Sequence, residues 1–473
     1  MSIATTTDLW RMSATDLAEA IRSRQASSRE VVEAHLRRIE ALNPTINAVV
    51  IVLAEQAMEA AKAADRVVAG GADLPPFHGV PFTVKENIDV AGTPTTQGLK
   101  ALANAYPTRD APIVERLKAA GAIVIGRTNL PSGAIRWHCE SQLWGATINP
   151  WDRSRTPGAS SAGEAAAIAT GMSPLGLGND GLGSLRHPAQ CCGVSALKPT
   201  LGRIPQASSV EPADMTPIGF QLTSVSGPLA RRVADLRIAF EVIAGPTWRD
   251  PWTVPAPLHG PELATPIRVA LVLAPTGGGT AKQVQEGVRK AGRALEDAGY
   301  AVDEVEPPSI EAAANTLLVM GSTPGIRAVW EQVMRPAMPA HTRRFMSAFF
   351  EAAGEPDAVA AEQAFITRHA LLRAWSEFQR SHPLIVAPIA TDIPFEAGTD
   401  LDEGRVAQTI QSMRMAMAVN TLGLPAVAVP VGVGEGLPQA VQLIGPRYRE
   451  DLCLDAAAAL EDRVGIITPI DPR

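Results

Sequence analysis

Three short segments carry side chains that together could perform nucleophilic catalysis. Lys85 ends the apolar run Val80–Val84, the adjacent Ser160 and Ser161 precede a stretch of small residues, and Ser184 lies in a glycine-rich turn. A serine hydroxyl attacks a carbonyl carbon only when a positioned base takes its proton, and lysine acts as that base only when it is neutral. The residue types therefore predict acyl transfer through a serine, with the lysine buried and without a carboxylate partner.

Each segment also has a simpler interpretation. A lysine at the end of a strand is usually solvated, and adjacent serines ahead of a helix commonly cap its free N–H groups. The glycine-rich segment around Ser184 is compatible with a plain turn. Such a turn can also aim consecutive backbone N–H groups at a developing oxyanion. The combination of the three segments supports catalysis more strongly than any one of them.

Taken together, the segments resemble the amidase signature family. The family pattern is a strand-end lysine, a Gly-Gly-Ser-Ser-Gly-Gly turn and, some twenty-four residues later, Asp-x-Gly-Gly-Ser-x-Arg, and Ser160 and Ser184 have this separation here. Flanking segments that agree with the family are residues 120–129, 193–203, 227–231, 423–430 and 436–442. The resemblance therefore runs through nearly the whole chain. Ala159 and Ala162 replace glycines of the serine turn, and Leu182 takes the first position of the Gly-Gly pair.

The resemblance implies a role for each matching residue. Ser184 is implied as the nucleophile, Ser160 as a proton relay preceded by a cis peptide, and Lys85 as the base. Four consecutive backbone N–H groups are implied as the oxyanion hole, those of Gly181, Leu182, Gly183 and Ser184. Three further side chains are implied as support for the site, those of Asp180, Arg186 and Ser161.

Leu182 is the most consequential departure from the family pattern. A leucine forced to positive φ carries strain on the order of 1–3 kcal/mol. We therefore expect φ to stay negative at Leu182, with Gly181 taking the unusual conformation and the N–H donors still converging.

Three other patterns point to chemistry that we do not expect. Residues 176–181 match G-x-G-x-x-G, but the last glycine opens the Ser184 turn rather than a helix, which disfavours dinucleotide binding. Residues 138–140, His-Cys-Glu, alternate sides on an extended chain and suit neither a metal cluster nor a cysteine nucleophile. His187 is too close to Ser184 in sequence to place its imidazole behind the hydroxyl. The sequence thus predicts neither a metal nor an organic cofactor.

Composition limits the partners and the cellular location. The 473 residues carry a net charge of −7 with no block of like charge, which argues against nucleic acid and anionic membranes as partners. The longest apolar runs, such as Ala48–Ala54, are far shorter than the roughly 20 residues of a membrane helix. The four cysteines suit no disulfide framework, and Met1–Arg11 lacks the order of a secretory signal. We expect a cytoplasmic protein that acts on a small amide or carbamate.

The sequence also predicts the helices and strands that position these residues. Capping-box spacing at Ser13 and Ser27 predicts two N-terminal helices, the second ending at Asn43-Pro44. Strand, helix and strand then alternate as in a wound α/β sheet. The segments predicted as strands are 80–84, 122–125, 267–272, 384–387 and 426–431, and helices are predicted over 113–120 and 281–298. Residues 251–266 are rich in proline and indicate a linker.

The resemblance implies an α/β/α sandwich, a large mixed central sheet covered by helices on both faces. We divide the chain into N-terminal helices, 1–70, and a catalytic domain, 71–473, with its core at 71–245 and 381–473. A variable helical region, about 310–380, is expected at the substrate mouth. A homodimer through the N-terminal helices is one option.

The helical region 310–380 is rich in apolar residues. They indicate either an acyl or aryl pocket or a packed helical core. These residues are Met320, Trp330, Met334, Phe345, Met346, Phe349 and Phe350.

The function predicted from the resemblance is hydrolysis of an amide C–N bond. Carbamates and esters pass through the same tetrahedral geometry and are expected side substrates. The alternative is an amidotransferase-type subunit or a non-catalytic scaffold of the same fold.

Overall fold

Short runs of branched and small apolar residues form the strands of one large sheet. The computed structural model describes residues 8–210, 216–402 and 404–473, which contain thirteen strands. The strands are β1 (Val49–Val52), β2 (Pro81–Lys85), β3 (Ile123–Thr128), β4 (Glu140–Ser141), β5 (Gly145–Ala146), β6 (Leu175–Asp180), β7 (Ser195–Lys198), β8 (Val225–Ala230), β9 (Arg268–Leu271), β10 (Ala301–Asp303), β11 (Leu384–Ala387), β12 (Ala426–Gly434) and β13 (Leu437–Ile444).

Eleven of these strands form a mixed sheet in the order β1-β3-β2-β6-β8-β7-β12-β13-β11-β9-β10, and β4 and β5 form a separate hairpin. β2 runs parallel to both β3 and β6. Because parallel neighbours end at the same edge of a sheet, the carboxyl ends of β2 and β6 lie side by side. This arrangement brings the end of the Lys85 strand next to the start of the Ser184 turn.

The described residues also form sixteen α-helices. They are α1 (Ala14–Arg22), α2 (Ser28–Ile46), α3 (Ala54–Ala69), α4 (Pro112–Ala119), α5 (Ala162–Ala169), α6 (Arg186–Cys192), α7 (Ile218–Gln221), α8 (Val233–Ile243), α9 (Lys282–Asp297), α10 (Ile310–Met320), α11 (Pro324–Val329), α12 (Ala340–Ala353), α13 (Ala358–Phe378), α14 (Val406–Ser412), α15 (Arg414–Leu422) and α16 (Glu450–Val464).

Alternate side chains of the central strands enter two different hydrophobic clusters. Val427 and Val429 of β12 belong to the cluster that contains residues of α1, α4, α8, α9 and α16. Ala428, between them, belongs to the cluster formed with α3, α5, α6 and α12. Because successive side chains of a strand point to opposite faces, helices cover both faces of the sheet. The predicted α/β sandwich with a large mixed sheet is confirmed.

The first two helices begin at the predicted capping residues, but the second helix ends later than predicted. The Ser13 side chain accepts a hydrogen bond from the Asp16 N–H, and Ser27 and Glu30 form a complete capping box. The end predicted for α2 at Asn43-Pro44 is wrong, because the helix continues through Pro44 to Ile46 and ends at a left-handed Asn47. The Asn43 side chain instead accepts hydrogen bonds from the N–H groups of the residues that lead into β1.

The remaining elements lie where the sequence predicts them, within a few residues. Residues 251–266 contain neither helix nor strand, as expected for the proline-rich segment. None of the described helices is long and apolar enough to cross a membrane, and the four cysteines are buried free thiols. Residues 1–7, part of the segment judged to lack a secretory signal, lie outside the described residues. The division of the chain at residue 70 stays a prediction.

The apolar residues of the 310–380 region mostly pack inside the protein. Met334 is half-buried, and the buried members of the set are Met320, Trp330, Phe345, Met346, Phe349 and Phe350. For these buried side chains the structure favours the packed helical core over an open pocket.

Candidate active site

Lys85 is the last residue of β2, and its side chain is fully buried. Its Nζ lies 2.6 Å from Ser160 Oγ and 2.5 Å from Asn179 Oδ1. Among the described residues no carboxylate forms an ion pair with it. Burial lowers the pKa of Lys85 to about 7, which outweighs the opposite effect of Cys139, Asp180 and Glu164. The interpretation of Lys85 as a solvated lysine at a strand end is therefore wrong.

Ser160 lies in the turn that leads into α5 and is almost completely buried. The following residue, Ser161, stands at the N-cap of α5, but no side-chain capping hydrogen bond forms there. Instead, the Ser161 hydroxyl donates to the carbonyl oxygen of Asn179, at 3.2 Å. The capping interpretation of this serine pair is thus wrong. The cis peptide implied before Ser160 is also wrong, because the cis bonds of the described residues are the two X-Pro bonds at Pro266 and Pro469.

Ser184 follows β6 after a tight turn and is 7% exposed, more than Lys85 or Ser160. Its Oγ accepts a hydrogen bond from the backbone N–H of Ser160, at 3.3 Å. Within the part of the chain that the structure describes, no hydrogen bond joins the two serine hydroxyls. Lys85, Ser160 and Ser184 therefore form one contiguous cluster, in which Ser184 is the most exposed member.

Residues 181–184 carry the four predicted oxyanion donors. One of these N–H groups already donates to an acceptor within the protein. The Gly183 N–H donates to Asp180 Oδ1, at 2.7 Å, so this part of the prediction is wrong. The N–H groups of Gly181, Leu182 and Ser184 donate to no acceptor within the described residues. Unpaired backbone N–H groups of this kind can stabilise a developing anionic oxygen when they point to one place.

The backbone conformation of this turn differs in part from the expectation. Leu182 keeps a φ outside the positive region, as expected. The unusual conformation falls on Gly183, whose φ is +94°, and not on Gly181. In this conformation the Gly183 N–H points back to Asp180 and donates to its carboxylate.

Asp180 and Arg186 brace the turn from inside the protein. Both side chains are fully buried and form an ion pair at 3.0 Å. Burial raises the pKa of Asp180, but the Arg186 guanidinium and further hydrogen bonds outweigh this effect and hold the pKa well below its usual range. Besides Gly183, Asp180 accepts from the N–H of Leu185. The carboxylate is therefore an acceptor around which the turn folds.

Three polar residues of the site were not found from the sequence. Asn179 contacts Lys85 and donates to Asn87 Oδ1, while Asn420 and Gln442 accept hydrogen bonds from Arg186 at 2.6 and 2.8 Å. Asn179 directly precedes Asp180 on β6. The register between β2 and β6 places it near Lys85, so a prediction of that register would have indicated Asn179 as a site residue. Asn420 lies on α15, and no local pattern marks it.

Glu164 is a buried carboxyl group close to the site. It accepts hydrogen bonds from the hydroxyls of Thr83 and Thr128, which lie on β2 and β3. Burial raises the pKa of Glu164 to about 7, although these hydrogen bonds and Lys85 act in the opposite direction. The ionised form of each of these two groups favours the ionised form of the other.

The residues that suggested other chemistries have structural partners. His187 Nε2 lies 3.4 Å from Cys191 Sγ, its ring stacks on Phe395, and burial lowers its pKa to about 4. His138 and Cys139 have separate hydrogen-bond partners, Thr156 and Thr147. In the described ranges, no group of three or more His, Cys, Asp or Glu is placed to hold a metal ion.

Comparisons with known proteins identify the family to which the chain belongs. The Amidase family model matches residues 30–454. The chain is 42% identical over 463 residues to an indoleacetamide hydrolase of Bradyrhizobium diazoefficiens, covering 97% of this chain and 88% of that protein. It is 32% identical over 484 residues to a subunit of the glutamyl-tRNA(Gln) amidotransferase of Chloroflexus aurantiacus, covering 96% and 97% of the two chains. The solved structure of a 6-aminohexanoate cyclic dimer hydrolase has a TM-score of 0.83 at 28% identity, covering 97% of this chain and 98% of the other. The chain therefore belongs to the amidase signature family of amide-bond hydrolases.

Proposed function

We propose that the protein hydrolyses amides through an acyl-enzyme on Ser184, with Ser160 as proton relay and Lys85 as base. The observation that carries the proposal is the 2.6 Å contact between Lys85 Nζ and Ser160 Oγ, beside Ser184. A lysine whose pKa is lowered to about 7 is partly neutral near neutral pH and can take a proton. Asn179 Oδ1, the second contact of Nζ, would orient the amine.

The reaction would begin with proton transfer from Ser184 to Lys85 through Ser160. Ser184 Oγ accepts from the Ser160 N–H, which leaves its own hydrogen free to be donated toward Ser160 Oγ. The Ser184 oxygen then attacks the amide carbon, and the N–H groups of Gly181, Leu182 and Ser184 stabilise the oxyanion. Collapse of the tetrahedral intermediate breaks the C–N bond, and the relay returns the proton to the leaving amine. Water repeats the cycle on the acyl-enzyme.

We further propose a primary amide of an arylacetic acid as the preferred substrate. Support comes from the 42% identity to indoleacetamide hydrolase. Leu182 is half-buried and packs on an apolar cluster, so the exposed part of its side chain forms an apolar wall beside the oxyanion turn. Such a wall favours an aromatic acyl group by burial of its surface. Carbamates and esters with the same acyl group are proposed as slower side substrates, because they share the tetrahedral geometry.

The second candidate is a component of an amidotransferase complex. It is supported by the 32% identity to the glutamyl-tRNA(Gln) amidotransferase protein, which extends along nearly the whole chain. Under this proposal, the same serine would release ammonia from a carboxamide for a partner protein. Turnover of a simple amide by the purified chain, without a partner or ATP, separates the two candidates.

The test is a substrate comparison with the purified protein. We expect ammonia release from indole-3-acetamide and phenylacetamide to exceed release from acetamide and glutamine, and to stop in Ser184→Ala. A sulfonyl fluoride should label Ser184, as shown by peptide mapping. Preference for glutamine would favour the amidotransferase candidate, and labelling of another serine would contradict the mechanism.

A further inference from the structure

One peptide group of the oxyanion turn is held at both ends by side chains. The indole Nε1–H of Trp137 donates to the Leu182 carbonyl oxygen, at 3.0 Å. The N–H of the same peptide group, that of Gly183, donates to Asp180 Oδ1 at 2.7 Å. The C=O and N–H of a trans peptide point in opposite directions, so the two hydrogen bonds hold the plane from opposite sides.

This peptide plane lies between two of the proposed oxyanion donors. Rotation of the plane changes ψ of Leu182 and φ of Gly183, and therefore the angle between the N–H groups of Leu182 and Ser184. Gly183 has no side chain to oppose such a rotation, since glycine populates positive and negative φ about equally. The orientation of the donors must therefore be fixed by contacts from outside the turn.

Trp137 is well suited to provide such a contact. Its side chain is 1% exposed, so the ring is enclosed by protein and offers almost no surface to a substrate. The edge-to-face contact with Phe345 of α12, with ring centroids 5.5 Å apart, fixes the indole plane. Its backbone oxygen accepts from the Thr156 hydroxyl, and the preceding Arg136 is tied to Asp400 by two hydrogen bonds of 2.9 Å.

We propose that Trp137 is a positioning residue for the oxyanion hole, which acts by fixing the Leu182–Gly183 peptide plane against Asp180. The inference rests on the proposed function. It also links the helical region to catalysis, because the ring that holds the oxyanion turn packs on Phe345. Loss of the indole N–H should then weaken stabilisation of the transition state and leave binding of the substrate nearly unchanged.

The test replaces only the indole N–H. Trp137→benzothienylalanine keeps the ring size and exchanges the N–H for sulfur. Trp375→benzothienylalanine is the matched control, because Trp375 of α13 is also buried and its Nε1 donates to the carbonyl oxygen of Pro308, in a turn that supplies no site residue. We expect kcat to fall by about 10- to 100-fold in the Trp137 variant, with KM within about twofold. The rate of Ser184 labelling by a sulfonyl fluoride should fall in parallel, whereas the Trp375 variant should keep both rates and lose comparable thermal stability.

The outcomes separate this inference from the proposed function. Trp137→Phe, which also lacks the N–H, is the second variant if the first does not fold. A folded variant of either kind with unchanged kcat and labelling rate overturns the role of Trp137 and leaves the Ser184 mechanism intact. A rise in KM without a fall in kcat also overturns it, since that change indicates substrate contact. Failure of a sulfonyl fluoride to label Ser184 in the unsubstituted protein overturns both proposals.

Discussion

Lys85 Nζ lies within hydrogen-bond distance, 2.6 Å, of Ser160 Oγ, although the two residues are 75 positions apart in the chain. The parallel pairing of β2 with β6 and the turn before α5 create this contact. No carboxylate among the described residues pairs with the fully buried amine, and burial lowers its pKa to about 7, which supports the proposed proton exchange with the hydroxyl.

The first prediction concerns the proposed proton relay. Lys85→Ala and Ser160→Ala should each lower kcat/KM on the order of 10³-fold or more, and the double variant should be little worse, because the two groups act as one unit. Ser184→Ala should abolish turnover. Steady-state kinetics on one amide, with circular dichroism as a control for folding, measures these effects. Additive losses would show that the lysine and Ser160 act independently.

The second prediction is an acid limb in the pH profile. The pKa of Lys85 is lowered to about 7, so its neutral form increases as the pH rises through that value. The kcat/KM should therefore rise about tenfold per pH unit below the pKa and level off above it. Measurements between about pH 5 and pH 10 test this. A profile that is flat across pH 7 would contradict the assignment of the base.

The third prediction uses the buried carboxyl of Glu164. When it is ionised, its charge raises the pKa of Lys85, although burial of the lysine has the larger effect. Glu164→Gln removes this charge and should move the acid limb of kcat/KM to lower pH. Asp235→Asn is the control, since Asp235 is also buried but accepts hydrogen bonds from Ala14 and Thr15 at the start of α1. A shift to higher pH, or equal shifts in both variants, would be incompatible with this prediction.

The fourth prediction compares two glycines of the oxyanion turn. Gly183 has a φ of +94°, and a Cβ there would lie 2.7 Å from Met413 Cε, whereas a Cβ on Gly181 would meet Ser224 at an ordinary 3.8 Å. Gly183→Ala should introduce strain on the order of 1–3 kcal/mol and lower kcat about 100-fold by moving the donors. Gly181→Ala should stay within a few-fold of the unsubstituted enzyme. Equal losses of kcat would show that the assignment of the positive φ is wrong.

The fifth prediction concerns the buried pair of Asp180 and Arg186. Asp180→Asn leaves the guanidinium without its counter-charge and should lower the free energy of unfolding by about 3–5 kcal/mol. Because the folded-state pKa of Asp180 is lowered, its stabilisation is present above a pH of about 4 and is lost as the pH falls further. Urea denaturation at several pH values measures both effects. Asp303→Asn, which removes an exposed pair with Arg268, should have a much smaller effect.

The sequence alone determined where most helices and strands lie, and it predicted the candidate catalytic side chains. Capping residues at Ser13 and Ser27 predicted where α1 and α2 begin, because these hydrogen bonds form within one helical turn. Lys85, Ser160 and Ser184 were predicted as site residues from three short segments and their resemblance to the amidase signature pattern. The prediction from local sequence was wrong at Pro44, which usually ends a helix. Here α2 continues to Ile46, whose side chain is buried.

Only the tertiary structure decided how these groups meet. Which glycine takes the positive φ, and which N–H groups stay unpaired, depends on the Asp180 carboxylate, whose position is set by Arg186 and Asn420. Asn179 reaches Lys85 only because of the register between two strands that lie far apart in the chain. Trp137 meets the Leu182 carbonyl across 45 residues. Contacts of this kind follow from the packing of whole elements, since no local propensity encodes a partner that lies so far along the chain.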